Sequence, residues 1–231
     1  MNVVLRREEK YVIANQEALL YSSHLENTLN KDEFSQNGSY MVRSLYFDTI
    51  DDKDFFDKIN EQEIRRKIRL RIYDTSAEVA KLELKQKQGV YQKKTSITIA
   101  REDACGLISC DFSVLLKYDN PFANELYTIM SMECYRPKTI VEYGRMAYMA
   151  KENHIRLTFD HDIRANESNF NLFDKDLQLS PVFPMDSVVF EVKYDQFLLG
   201  YISEMIACIN RRPVSSSKYC MGRSMGYPLY L

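Results

Sequence analysis

Four cations recur at every second position of one short segment: Arg65, Lys67, Arg69 and Arg71 in RRKIRLRIY, residues 65–73. Between them, from Lys67 onward, stand Ile68, Leu70 and Ile72. Alternation of period two with β-branched residues marks a strand, whose successive side chains point to opposite faces. One face of this strand is therefore apolar and the other is a row of positive charge. Neighbours on one strand face stand about 7 Å apart. A cation pair there repels by about 0.6 kcal/mol in water and about 2.4 kcal/mol at an effective dielectric near 20. A surface tuned for stability alone would intersperse carboxylates. A row of guanidinium and ammonium groups suits an anion with several charges, because arginine forks match phosphate oxygens two at a time.

The same inversion recurs along the chain. In 81–87, Lys81, Glu83, Lys85 and Lys87 oppose Leu82 and Leu84. In 94–99, Lys94, Ser96 and Thr98 oppose Thr95, Ile97 and Ile99. In 154–160, His154, Arg156, Thr158 and Asp160 oppose Ile155, Leu157 and Phe159. In 188–194, Glu191 and Lys193 oppose Phe190, Val192 and Tyr194; in 6–13, Arg6, Glu8 and Lys10 oppose Tyr11 and Ile13 less cleanly. Taken singly, each is an ordinary amphipathic strand with its charges in water. Together they show cations clustered by sign, with a single glutamate set among them. Cations to grip an anion and isolated carboxylates to hold a divalent ion are what a phosphate-chain site requires, since Mg²⁺ binds through one or two carboxylates plus substrate phosphates. If these faces converge, the protein is an inverted barrel, charged inside and apolar outside, with helices covering the exterior.

The elements that would position these groups follow from the pattern. Strands are expected at 5–14, 40–49, 64–73, 80–87, 91–100, 138–150, 154–163 and 187–195. Asn15 is expected to cap a helix reaching about Asn30, with Leu19, Leu20, Leu25 and Leu29 as its apolar stripe. Gly89 marks a hairpin turn. Helical segments fill 101–135, the clearest holding Leu126, Ile129, Met130 and Cys134 at helical spacing, and a helix closes at about 198–211. Short strands joined mostly by short connections favour an antiparallel sheet, sandwich or barrel over a doubly wound parallel sheet.

Composition bounds the rest. The 231 residues suffice for one large domain or two small ones, and no linker divides them, so a single domain over 1–231 is expected. A net charge of −2 gives no global attraction to nucleic acid or acidic membrane. Five cysteines without ligand spacing and three histidines argue against a disulfide framework and a zinc site, and point to reduced thiols in the cytoplasm. No apolar run reaches membrane-span length, and MNVVLRREEKY lacks a signal-peptide core. No protein partner is inferable. His154 and His161 read as strand-end surface histidines, the tyrosines as packing and not base stacking, and the acidic DDKDFFDKI as a short helix or turn with its charges solvated.

REEKYVI, RSLYFDT, RRKIRLRIY, LELK, EYGRMAY, IRLTFD, FEVKY and SSKYCMG, in this order, resemble the VTC domain, the polyphosphate-polymerase catalytic domain of the triphosphate tunnel metalloenzyme superfamily. The resemblance covers nearly the whole chain. It implies an α+β fold: an eight-stranded antiparallel β-barrel tunnel with a charged interior and helices packed outside. It implies that Lys10, Arg69, Arg71, Lys85, Arg145, Arg156 and Lys218 form the catalytic, phosphate-contacting set, and that Glu191 holds Mn²⁺ or Mg²⁺. Strand parity adds Arg6, Lys67, Lys94 and Lys193 as substrate-binding cations, with Lys93 the alternative to Lys94 if the alignment slips. Glu8 and Glu83 are further metal-site candidates and equally salt-bridge partners of the lysines. Relatives that hydrolyse triphosphates or cyclise ATP begin with Glu-x-Glu-x-Lys. Here the motif is Arg6-x-Glu8-x-Lys10, which fits the polymerase branch better. The eukaryotic polymerases' inositol-phosphate-sensing domain and membrane helices are not seen in this sequence, which looks like a stand-alone, bacterial-type form. The resemblance thus implies an enzyme that moves the terminal phosphate of ATP onto polyphosphate. A triphosphate hydrolase with the same site and a non-enzymatic polyanion-binding module are the alternatives.

Overall fold

The alternating segments form strands where expected. The computed structural model describes residues 6–89, 91–209 and 211–223. Its strands are β1 (Arg6–Ala14), β2 (Asn30–Lys31), β3 (Tyr40–Asp48), β4 (Ile64–Ile72), β5 (Val79–Gln88), β6 (Tyr91–Ala100), β7 (Arg136–Met149), β8 (Arg156–Asn166), β9 (Ser180–Pro181) and β10 (Ser187–Asp195). Its helices are α1 (Asn15–Glu26), α2 (Lys53–Ile59), α3 (Arg101–Ile108), α4 (Pro121–Met132), α5 (Gly200–Ala207) and α6 (Lys218–Arg223). The eight long strands correspond to the expected ones. β2 and β9, at two residues each, are too short to leave a periodic signal.

The fold is α+β, an antiparallel sheet with helices. Strands pair in the order β1-β10-β8-β7-β3-β4-β5-β6, with β2 on β7 and β9 on β8. Among the described residues β1 and β6 end this path without pairing, so it is open where a closed eight-stranded barrel was expected. The outer edge of β1 has another occupant. The Val214 N–H donates to the Lys10 carbonyl at 2.8 Å, and the Arg211 guanidinium donates to that of Val12. The outer strand β6 carries Lys93 and Lys94, and edge lysines oppose the addition of a further strand.

The chain packs as two compact units, and β3, β7 and β8 contribute residues to both. The first comprises Met1–Met41, Tyr143–Ile163 and Phe183–Ser216. Here Tyr11, Ile13, Leu157, Phe159, Phe190 and Val192 form one apolar cluster with Tyr21 and Leu25 of α1 and Ile202 of α5. The buried stripe of α1 is Ala18, Tyr21, Ser22 and Leu25, and Leu19 and Leu20 are 68% and 56% exposed. The ring of Tyr21 stacks near Phe190, with centroids 6.3 Å apart, and that contact turns the two leucines outward. Ala14, not Asn15, is the N-cap residue. Its N–H donates to Glu17 Oε2 at 2.7 Å, while Asn15 is already helical and donates to the Met185 carbonyl.

The second unit comprises Val42–Glu142, Arg164–Val182 and Ser217–Leu231. Ile68, Leu70, Leu82 and Leu84 are buried on one face of β4 and β5, while α3 packs against β5 and α4 against β6. Gly89 has φ +57° in the turn between β5 and β6, a left-handed conformation that glycine adopts without strain. Of the short helix or turn expected at DDKDFFDKI the chain forms the helix, α2, but the segment is not simply solvated: Asp54 and Phe55 are each 1% exposed. Asp48 accepts the N–H groups of Asp54 and Phe55, both at 2.9 Å, which fixes the start of α2 while Phe55 joins the core. The α4 stripe ends early. Cys134 lies beyond the helix with φ +51°, is exposed, and Tyr135 is buried in its stead. Among the described residues no helix is long and apolar enough to cross a membrane.

Candidate phosphate-binding faces

Strand register gathers the expected cations into two clusters, one in each unit. In the second unit Arg69 faces Glu83, Lys67 faces Lys85, and Lys85 faces Lys94 directly across β4, β5 and β6. In this ladder Lys94 shares the face of Lys85, and Lys93 lies opposite Gln86 on the other. This face is not open to water in the manner of an ordinary surface: Arg71 is 7% exposed and Glu83 2%. Glu83 Oε2 accepts from Arg69 Nε at 2.6 Å and lies 4.0 Å from an Arg71 nitrogen, and Lys94 pairs with Oε1. Burial works against the carboxylate, yet Arg69, Arg71 and Lys94 overcome it and hold the group at about 2. Burial also lowers Lys94, which Glu83 partly offsets.

Tyrosines complete this face. Tyr46 on β3 faces Arg69 across the ladder, and its phenol oxygen lies 3.3 Å from an Arg69 nitrogen. Burial opposes ionisation of Tyr46, but Arg69, Lys67 and Arg71 pull it down to about 8. The Lys67 ammonium donates to Ser217 Oγ at 2.7 Å and lies over the rings of Tyr46 and Tyr219, at 5.8 and 5.6 Å. The Tyr219 hydroxyl donates to Asp48 at 2.5 Å and so ties α6 to the end of β3. Lys218 begins α6 and is half-buried. Tyr46, Tyr219 and Asp48 were not singled out from the sequence. Tyr46 had a signal, because the parity of RSLYFDT sets it on one face with Ser44, which faces Arg71.

In the first unit Lys10 faces Glu191, which faces Thr158; Glu8 faces Lys193, which faces Arg156. The Lys10 ammonium lies 3.2 Å from Glu8 and donates to the Ser216 carbonyl at 3.0 Å. Burial disfavours its charge, but Glu191 and Glu8 more than compensate and raise it above the usual lysine range. Lys193 lies 2.9 Å from Glu191. Arg145 forks onto the buried Asp160 at 2.6 and 2.8 Å, and Arg156 donates to Asp32 at 2.5 Å. The expected phosphate contacts Arg145 and Arg156 are thus each held by a carboxylate to which the sequence reading gave no role. Arg156 Nε and Thr158 Oγ1 are buried, without a hydrogen-bond partner among the described residues. Arg6 opens β1, and its side chain lies outside the described residues. His154 is exposed and pairs with Asp195 at 2.9 Å, as a surface histidine would.

The carboxylates differ in fitness for a metal. Glu83 is enclosed by three cations and is suited to neutralising them. Glu191 and Glu8, on one face of β10 and β1, suit an ion that takes one or two carboxylates and completes its shell with phosphate oxygens. Among the described residues no group of three or more His, Cys, Asp or Glu side chains could hold a metal.

The sheet order and these faces can be set beside known proteins. Among solved structures the chain is similar to a candidate adenylate cyclase from Bacillus halodurans, with TM-score 0.55 and 11% identity over 98% of this chain and 97% of that one. It is also similar to a candidate adenylate cyclase from Vibrio parahaemolyticus, with TM-score 0.50 and 11% identity over 95% of this chain and 98% of that one. At such identities the likeness concerns the fold. No curated protein matches the chain. The family model of the VTC domain matches residues 5–227, and by that match the chain belongs to the VTC domain family.

Proposed function

We propose that this chain transfers the terminal phosphoryl group of ATP to a polyphosphate chain in the cytoplasm. The observation that carries the reading is the alignment of Lys67, Lys85 and Lys94 directly across three strands, with Arg69 and Arg71 beside them. Like charges directly opposite on a sheet are destabilising. The ligand that relieves them is an anion with several charges. Family membership supports triphosphate-tunnel chemistry of the phosphotransferase or hydrolase type. Arg6-x-Glu8-x-Lys10 favours the transferase.

Phosphoryl transfer needs positioning and charge neutralisation more than a side-chain nucleophile. In the second unit Arg69, Arg71, Lys67, Lys85, Lys94 and Lys218 would bind and orient phosphate oxygens, and in the first unit Lys10, Lys193, Arg145 and Arg156 would do so. Glu191, assisted by Glu8, would hold Mg²⁺ or Mn²⁺. The chemistry such an ion would supply there is neutralisation of phosphate charge. Glu83 keeps the second-unit cations in place. The test is to incubate the protein with ATP and Mn²⁺ and resolve the products by chain length. Long polymer supports the reading. Free phosphate alone makes the chain a hydrolase, and binding without turnover makes it a polyanion-binding module.

A further inference from the structure

Several buried tyrosines of this chain give their hydroxyl proton to a carboxylate. Tyr11 and Tyr194 donate to Glu9, Tyr135 to Asp54 and Tyr219 to Asp48. Tyr46 does not. It is 2% exposed, and its oxygen accepts from an Arg69 nitrogen at 3.3 Å. Among the described residues nothing accepts the proton of its own hydroxyl.

Cations surround this phenol instead. Tyr46 faces Arg69 across β3 and β4, and Ser44, on the same face, meets Arg71. The Lys67 ammonium lies 5.8 Å from the Tyr46 ring centre and the Arg69 guanidinium carbon 6.0 Å. β5 sets Lys81 and Lys85 opposite Arg71 and Lys67, and Glu83 opposite Arg69. Glu83 is already shared by Arg69, Arg71 and Lys94. From α6 comes Tyr219, its ring 5.2 Å away and its proton held by Asp48. On β7, which pairs with β3, the charged side chains of this unit are engaged elsewhere. Lys138 pairs with Asp52, Glu142 pairs with Arg43, and Arg136 donates to the Tyr135 carbonyl. A phenol among several cations that share one carboxylate loses its proton more readily than a phenol in water. Burial opposes that ionisation, yet Arg69, Lys67 and Arg71 bring the group from 10 down to about 8.

We infer that Tyr46 is a proton-linked counter-ion of this face, ionised as phosphate leaves and protonated as phosphate binds. On ionisation the phenol O–H bond breaks and the proton passes to water; on binding, the phenolate oxygen takes a proton back from water. Tyr46 is thus a positioning residue that acts through Arg69 and Lys67. The inference rests on the phosphate reading proposed above and deepens it with a pH dependence. The phenolate and the ligand compete for the same cations, so each weakens the other by the same factor.

The experiment follows tyrosinate absorbance from about pH 6 to about pH 10 in wild type and Tyr46→Phe, with and without tripolyphosphate, and measures tripolyphosphate affinity in both proteins. Tyr46→Phe keeps the ring beneath Lys67 and removes only the hydroxyl. Wild type should show one tyrosine ionising at about 8, absent from the variant and moved upward by tripolyphosphate. Relative to the variant, wild type should lose roughly tenfold in affinity between about pH 6.5 and about pH 9, because the free phenol is by then about nine-tenths ionised. An affinity ratio that does not change with pH, or an early step that survives in Tyr46→Phe, overturns the inference and leaves phosphate binding intact. A wild type that binds no tripolyphosphate at either pH overturns the phosphate reading and the linkage with it. Should Tyr46→Phe fold poorly, the wild-type step decides alone: an early step that tripolyphosphate does not move overturns the inference.

Discussion

Arg69 Nε lies 2.6 Å from Glu83 Oε2, and the two residues face each other directly across β4 and β5. Glu83 thereby acts as the counter-ion around which Arg69, Arg71 and Lys94 gather. The consequence for acid stability has a definite sign. The folded carboxyl stands at about 2 against an ordinary 4.5, so its contribution is present above 4.5 and is lost as pH falls toward 2. Glu83→Gln should be less stable than wild type by roughly 3 kcal/mol near neutrality. Denaturant melts across pH should show this gap closing between about 4.5 and 2. A gap independent of pH would contradict the counter-ion role.

Most strands were legible because they carry their own period-two signal, and Ile68, Leu70, Leu82 and Leu84 are buried as alternation requires. The pairing of Arg145 with Asp160 and of Arg156 with Asp32 was not, because the first joins two strands and the second joins residues 124 apart in sequence. Of the expected α1 stripe, Leu25 and Leu29 pack on the core but Leu19 and Leu20 do not, because a hydrophobicity count weighs two leucines above Tyr21, whose ring makes the contact instead. The barrel came from resemblance, and the occupation of the β1 edge by residues 211–214 has no local sequence signal.

Glu191 faces Lys10 across β1 and β10 and lies 2.9 Å from Lys193. Glu191→Gln preserves shape and hydrogen bonding while removing the charge a divalent ion needs. The variant should fold, retain most of its tripolyphosphate affinity and lose metal-dependent turnover of ATP. Full turnover would move the metal to Glu8 or elsewhere.

Gly222 of α6 meets β7 closely. A Cβ there would stand 2.6 Å from Val141 Cγ2 and 2.9 Å from Thr139 Oγ1. Gly222→Ala should cost about 1–3 kcal/mol, the range for overpacking. Since Ser217 and Lys218 precede it on the same segment, tripolyphosphate affinity should fall as well. Thermal melts with and without ligand separate the two effects, and a variant that matches wild type in both would show that α6 does not hold this face in shape.

The claim that the cationic face of β4 binds phosphate is tested most directly by titrating tripolyphosphate into wild type, Arg69→Ala and Leu70→Ala while following thermal stability. Arg69 is on the charged face and Leu70, fully buried, on the apolar one. Arg69→Ala should weaken binding by about 1.5–3 kcal/mol, the range for a hydrogen bond to a charged group. Its stability should change little, because Arg71 and Lys94 still neutralise Glu83. Leu70→Ala should lose about 2–5 kcal/mol of stability and bind normally in the folded fraction. The opposite pattern, with the arginine variant unfolding and the leucine variant losing only affinity, would contradict the account.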